Sequence, residues 1–280
     1  MDLSNENVIH VKSNGIEYLQ FRKLLQYDDI LKHAYSLGLD KNFRTAKKAG
    51  ILSEEEREES LNSYKKLSVE IGINYRDIIK PNQAHTKNIK EVENKINRFN
   101  PDFNLKQYNF IDGLITNKSG LILSTTNADC ILLLFFDPIK KVIANIHSGW
   151  RGTLQKISEY TVKQMIKDYK CNPEDIICCI CPSIRKCHFE VSEDVKKLFQ
   201  NEFSEMEGII EKSSKENKWY IDTVKININL MKNLGLRDNN IIDSKICSIC
   251  NKNIIHSYRV EKDKFKLNTA LIGLNEVKKW

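Results

Sequence analysis

The sequence predicts an α+β fold of mixed β-sheets flanked by helices, and three observations lead there. Two apolar runs, Ile131–Phe136 and Val142–Ile146, flank Asp137-Pro138-Ile139-Lys140, where proline sets φ for a turn and the aspartate can hydrogen-bond nearby backbone. This reads as a buried hairpin. Helical periodicity appears elsewhere, from Ser53 to Ile71 and from Leu154 to Tyr169. Strands and helices do not strictly alternate, and neither GxGxxG nor GxxxxGK[ST] occurs, which argues against a doubly wound sheet, a dinucleotide fingerprint and a P-loop.

In chain order, a polar tail precedes Gly15–Phe21, whose loose alternation predicts a first strand. The segment Asp29–Leu39 carries His33, expected to be a surface or internally satisfied imidazole. Ser53-x-x-Glu56 has the capping-box pattern, acidic residues fill the first turn, and Leu61, Tyr64, Leu67 and Ile71 form an apolar stripe that Gly72 should end. Ile78-Ile79 followed by Pro81 predicts a short strand at a sheet edge, or a strand end, rather than a central strand, because proline cannot donate to a ladder. Ile89–Phe99 reads as a helix or helical loop and Pro101–Gln107 as a polar connection. Asp112–Thr116 and Gly120–Ser124 read as two strands around a turn. Beyond the hairpin, Ser148–Thr153 breaks the period, and Leu154, Ile157, Thr161, Met165 and Tyr169 outline an amphipathic helix. Ile176–Cys181, Trp219–Ile221 and Asn240–Ile246 are expected strands; Ser192–Phe203 and Asp222–Leu234 are expected helices. No linker, repeat or low-complexity tract interrupts the chain, so residues 1–280 are expected to form one domain.

Composition narrows the class. With 41% hydrophobic residues the chain can bury a sizeable core, and no run approaches the roughly 20 apolar residues of a membrane span. The net charge of +7 is spread among interleaved Lys and Glu, which suggests a solvated surface with some pull on small anions rather than a nucleic-acid groove. The N-terminus has no apolar signal region, so a cytoplasmic protein with no membrane partner is expected. The eight cysteines are then expected to be reduced. Cys178, Cys179, Cys181 and Cys187 lie in or beside an apolar run and read as small core residues. Cys247-Ser-Ile-Cys250 has the spacing of half a zinc or redox site, but no second CxxC accompanies it.

Chemistry concentrates at the open end of the hairpin. If its symmetry centre is the Pro138–Ile139 bond, Cys130 opposes His147, and directly opposed side chains have Cβ atoms about 4.5–5.5 Å apart. A thiolate and an imidazole so placed could grip one metal ion. His85, just past the edge strand, could complete a borderline-soft trio suited to zinc, with copper as competitor. Three protein ligands leave one coordination position for water or substrate, the mark of a catalytic rather than structural zinc. Arg151 and Gly152, in the glycine-containing turn that opens the following helix, would favour an anion such as phosphate.

Gln83-Ala84-His85, Asp112-Gly113-Leu114-Ile115-Thr116, Ala128-Asp129-Cys130 and His147-Ser148-Gly149-Trp150-Arg151-Gly152 resemble, in order, the motifs of the laccase-domain (polyphenol oxidoreductase-like) family. The resemblance continues through Cys181-Pro182-Ser183-Ile184, Phe189-Glu190-Val191, Asp222 and Ser257-Tyr258-Arg259, and so covers most of the chain beyond Ile78. It implies a single α+β domain of toxin-like cysteine-hydrolase architecture, with zinc held by His85, Cys130 and His147. It also implies phosphorolysis of adenosine, inosine and methylthioadenosine, together with adenosine deamination. Purine nucleoside and phosphate are then the expected partners; Cys130, His147, Asp129 and Arg151 the catalytic candidates; and Arg151, Gly152, Asn62 and Arg259 the substrate contacts. Asp129 neighbours Cys130 and, in regular strand geometry, would face away, so its other reading is a loop brace. The sequence departs from the family pattern at Thr86 and Cys181, where glycine is usual, and at Ser63, where an arginine usually follows the asparagine. Three rivals accompany this reading: a cysteine hydrolase with Cys130 as nucleophile and His147 as base; an editing enzyme of peptidoglycan precursors, a role also attached to the family; and a non-catalytic metal-binding module with a closed site recruiting Cys247 or Cys250. Multicopper oxidation fits least, since it needs more clustered histidines than the six present.

Overall fold

The computed structural model describes residues 1–45, 52–95 and 105–276. Its centre is a pair of six-stranded sheets. In spatial order the first runs Val8–Ser13, Ile16–Phe21, Leu31–Leu37, Asn268–Leu274, Ile122–Asn127 and Ile78–Ile79. The second runs Ile241–Asp243, Ile177–Ile180, Ile131–Asp137, Val142–Ser148, Gly113–Thr116 and Ile89–Glu91. Leu19, Phe21, Tyr35, Leu123 and Ile272 from the first sheet pack against Leu132, Leu134, Phe136, Ile143 and Cys179 from the second.

Each outer face carries helices. Tyr64, Leu67 and Ile71 of the helix Glu54–Ile71 cover Tyr18, Ala34 and Leu271 of the first sheet. Helices Ile157–Tyr169 and Thr223–Lys232 cover the second through Ile157, Val162, Met165, Val224 and Met231. The arrangement is a four-layer helix–sheet–sheet–helix stack, an α+β architecture as the element pattern predicts. It explains why Ile131–Phe136 is continuously apolar. Leu132, Leu134 and Phe136 enter the layer between the sheets while Ile131, Leu133 and Phe135 enter the layer under the helices, so both faces are buried. Each such side chain contributes about 1.5–3 kcal/mol by leaving water. A small third sheet, Glu190–Ser192, Lys218–Ile221 and Ile210–Lys212, packs with the helix Glu193–Glu202.

Local signals hold where their chemistry is self-contained. Ser53 and Glu56 exchange both hydrogen bonds of a capping box, and Gly72 closes the helix at φ +70°. Ile78–Ile79 is an edge strand. His33 is buried, and its Nε2 accepts the Phe21 N–H at 2.7 Å. All eight cysteines are free thiols.

Other expectations change. The N-terminal tail contains the strand Val8–Ser13, turned back by Asn14-Gly15 with both φ positive, the dipeptide a tight hairpin prefers. Ile89–Glu91 is a strand parallel to Gly113–Thr116 rather than the start of a helix, and 96–99 lie outside the described residues, as do 101–104 of the expected connection. The two strands expected around a turn belong to different sheets. Gly120, at φ +73°, donates its N–H to Leu274 as the chain crosses from one sheet to the other. The helix after the hairpin is two helices, Trp150–Leu154 and Ile157–Tyr169, broken at Lys156 with φ +59°. Among the described residues, no helix is long and apolar enough to cross a membrane.

Candidate metal centre

Three segments bring His85, Cys130 and His147 together. His147 lies near the end of the central strand Val142–Ser148 and is almost fully buried. Cys130 sits just before its partner strand, after Asp129 at φ +86°. The hairpin register differs from the expectation by two residues: Ile131 faces Ser148, and Leu132 faces His147. Its loop is Pro138–Lys141, with Lys141 at φ +52°, so the symmetry centre moves one residue along the chain. A slip of two preserves side-chain parity, so Cys130 meets His147 diagonally on one face rather than directly.

The donor atoms of the three side chains lie within 4.8 Å of one another. Cys130 Sγ is 3.8 Å from His85 Nε2, and the two imidazoles meet edge to face with centroids 4.9 Å apart. His147 Nδ1 donates to Asp112 Oδ1 at 2.8 Å, leaving Nε2 for a metal. Asp112 is fully buried and also accepts the backbone N–H groups of Ala84 at 3.1 Å, His85 at 2.9 Å and Thr86 at 2.7 Å. One carboxylate therefore fixes the tautomer of one ligand and the loop carrying another, including His85 in its left-handed conformation at φ +61°. Burial opposes its charge, yet the His147 and Thr86 bonds hold its pKa down at about 2. Between Cys130 and His147 burial likewise disfavours charge on both. Their mutual attraction, with Asp112 behind His147, nonetheless favours a thiolate and an imidazolium, lowering the thiol pKa and raising that of the imidazole.

Gly149 completes the cradle. A Cβ there would lie 2.7 Å from His85 Cδ2, 3.2 Å from Cys130 Sγ and 3.4 Å from His147 Cε1, so only glycine lets the three ligands close around this point. The two imidazoles, one thiolate, glycine-lined interior and carboxylate-anchored histidine fit zinc; the same His₂Cys donor set also suits copper. Asp112 and Gly149 stand inside recognised motifs, but the sequence reading gives neither a role. The usable signals are an aspartate at the start of a buried strand and a glycine two residues after a ligand.

The remaining candidates separate. The Arg151 guanidinium is exposed, lies 4.1 Å over the Trp150 ring and pairs with no carboxylate among the described residues. Gly152 is buried, where a Cβ would approach the Thr86 carbonyl to 3.3 Å; its geometry explains packing of the His85 loop. Asp129 turns both oxygens to the protein, accepting from Ser248 Oγ at 2.6 Å and Arg259 N at 2.7 Å, as the loop-brace reading expects. The Arg259 side chain spans the carbonyls of His188 and Glu190 at 3.4 and 3.3 Å. Asn62 is exposed on the outer helix and, among the described residues, shares no hydrogen bond with the trio. Its neighbour Ser63 accepts the Asn42 N–H and bonds the Glu59 carbonyl, a local role in place of an arginine. Thr86 joins the network instead of disturbing it, with Oγ1 2.8 Å from Asp112 Oδ2. Cys181 is buried between the sheets. Neither Cys247 nor Cys250 joins the His85 group; they lie in a second cluster.

Comparisons with known proteins bear on the family and the fold. Residues 41–275 match the family model described as multi-copper polyphenol oxidoreductase laccase. The purine nucleoside phosphorylase LACC1 of Mus musculus is 31% identical over 169 residues, covering 59% of this chain but only 38% of the mouse protein. The chain thus corresponds to well under half the length of that relative. The adenosine deaminase RL5 of an unknown prokaryotic organism is 25% identical over 193 residues, 69% of this chain and 73% of that protein. The crystal structure of YlmD from Geobacillus stearothermophilus superposes with a TM-score of 0.80 at 21% identity, covering 96% of this chain and all of the other, so the fold is shared. With the family model spanning most of its length, this chain belongs to the multi-copper polyphenol oxidoreductase laccase family.

Proposed function

We propose that this chain is a zinc-dependent purine nucleoside phosphorylase acting on adenosine, inosine and methylthioadenosine, with adenosine deaminase activity. The observation that carries it is the convergence of His85, Cys130 and His147 from three segments with Asp112 anchoring two of them. The substrate class comes from relatives named purine nucleoside phosphorylase and adenosine deaminase. In this reading His85, Cys130 and His147 hold the ion, which when bound supplies Lewis acidity and lowers the pKa of water.

The chain's own groups do the rest. Asp112 keeps the His147 proton on Nδ1. Asp129 is a positioning residue: it holds the turn that presents Cys130. In phosphorolysis, phosphate attacks the ribose anomeric carbon as the purine departs, and positive charge builds on the sugar. The exposed Arg151 guanidinium, supported on Trp150, orients the phosphate dianion for that attack. This role rests on the side chain, because the helix it opens has only five residues.

A second reading has its own observation: Cys130, His147 and Asp112 also form the thiol–imidazole–carboxylate series of a cysteine hydrolase. That chemistry has no use for His85, held at φ +61° beside the sulfur, which favours metal ligation.

The test is chromatography of products from adenosine with the zinc-loaded chain, with and without phosphate. The proposal expects adenine plus ribose 1-phosphate when phosphate is present, inosine when it is absent, and loss of both in Cys130→Ser. Arg151→Ala should raise the KM for phosphate about tenfold while leaving deamination intact. Neither product from fully loaded protein overturns the nucleoside reading, whereas rapid stoichiometric alkylation of Cys130 in a chain that binds no zinc supports the hydrolase.

A further inference from the structure

We propose a second metal site, built from Cys187, His188, Cys247 and Cys250, that binds one zinc ion in a closed, structural manner and is independent of the nucleoside reading. The sequence shows only half of it, the Cys247-Ser-Ile-Cys250 turn. The fold supplies the other half from a segment about 60 residues earlier: Cys187 Sγ lies 3.7 Å from Cys247 Sγ. His188 Nδ1 is 3.1 Å from Cys187 Sγ, 3.6 Å from Cys247 Sγ and 3.7 Å from Cys250 Sγ. All four donor atoms fall within 4.8 Å of one another.

Three of these four separations match a tetrahedral ion, and the 3.1 Å between Cys187 and His188 is shorter than it requires. Bonds of about 2.3 Å to sulfur and 2.0–2.1 Å to nitrogen place sulfurs about 3.8 Å apart and sulfur and nitrogen about 3.6 Å apart. The sulfur separation is far outside a disulfide bond of about 2.05 Å. Core packing does not explain the cluster either. Cys178, Cys179 and Cys181 are buried as small apolar residues, but Cys187 and Cys250 are exposed, contrary to the core role expected for Cys187.

A parallel bridge pairs Ser183 with Cys247, and Ser248 N donates to the Ser183 carbonyl at 3.0 Å, so the two halves are already aligned. Three thiolates and one imidazole close the tetrahedron with protein ligands, which suits a structural zinc rather than a catalytic one. The clamp would join the 183–188 segment to the turn whose Ser248 hydroxyl bonds Asp129, next to Cys130.

The experiment is metal stoichiometry by mass spectrometry on the full chain purified under reducing conditions without chelator. Two zinc equivalents are expected in the unmodified chain, one in Cys250→Ser, one in Cys130→Ser and none in the double variant. Cys187→Ser, at an exposed position, gives the same count should Cys250→Ser fail to fold. In the cobalt-loaded chain, the intense sulfur-to-cobalt absorption should fall by more than half in Cys187→Ser and by less than half in Cys130→Ser. A single equivalent that survives Cys187→Ser and disappears in Cys130→Ser overturns the proposal. So does prompt alkylation of Cys187 and Cys250 in the zinc-loaded chain, or a Cys187–Cys247 disulfide in place of metal.

Discussion

Replacing Gly149 with alanine isolates one physical effect, the closeness of three ligands around a point where a methyl group does not fit. Gly149 has φ −65° and ψ 171°, extended backbone that alanine adopts without strain, so the substitution acts through its Cβ alone. That atom would sit 2.7 Å from His85 Cδ2, inside any carbon–carbon contact, with Cys130 Sγ at 3.2 Å and His147 Cε1 at 3.4 Å. His147 is buried and tied to Asp112, while His85 is exposed, so the His85 ring should be the group that moves. Displacing one ligand of three by the roughly 1 Å that restores an ordinary carbon–carbon contact should weaken zinc binding at this centre at least tenfold, about 1.4 kcal/mol or more. The metal-free fold should hardly notice. Alanine is a poorer helix N-cap than glycine but restricts the unfolded chain, and the two effects offset to within about 1 kcal/mol. Competition titration with a chromophoric chelator and urea unfolding of the metal-free chain measure the two quantities. Unchanged zinc affinity in Gly149→Ala would refute the idea that the ligands close around this residue; a large loss of metal-free stability would show that Gly149 serves the fold instead.

Two further outcomes follow from the same structure. Asp112→Asn cannot accept both the imidazole proton and the Ala84, His85 and Thr86 N–H groups, since one of its terminal atoms is itself a donor. Metal affinity should fall about 10–100-fold, measured by the same competition titration, with an unchanged value counting against the anchoring role. His33 is buried and neutral, with burial pushing its pKa down to about 3. The unfolded chain protonates this group near pH 6.5 and the folded chain does not, so its contribution is complete above 6.5 and is lost as pH falls towards 3. At pH 5 the loss is about 2 kcal/mol. Unfolding free energies from urea titrations at pH 7.5 and 5 should converge by that amount in His33→Gln, whose carbonyl can still accept the Phe21 N–H; an unaltered pH dependence would show that other groups govern acid stability.

Much of the fold is legible in the sequence because its signals are local. The capping box at Ser53, the apolar hairpin runs and the edge strand before Pro81 each depend on neighbouring residues. What fails is set by backbone conformation within a loop or by distant partners. The hairpin register depends on a four-residue loop with Lys141 in the left-handed region, and the sheet assignment of Gly113–Thr116 and Ile122–Asn127 depends on how the chain crosses the stack. The ligand trio illustrates the same division. The hairpin symmetry already pairs residues 130 and 147 in the sequence, but residue 85 has no spacing that announces convergence, and it is family motifs that name it as the third ligand. The supports, Asp112 and Gly149, and the Cys187–His188 half of the second cluster act through contacts that exist only after folding.

The central claim is that one metal ion joins His85, Cys130 and His147 and is held there by no other protein side chain. Anomalous diffraction from crystals of the zinc-loaded chain, recorded on both sides of the zinc edge and at the copper edge, tests it directly. The account predicts a zinc peak about 2.3 Å from Cys130 Sγ and about 2.0–2.1 Å from one nitrogen of each histidine, with the remaining position taken by a non-protein atom. No peak between these residues, or a peak closed off by a fourth protein ligand, would contradict it.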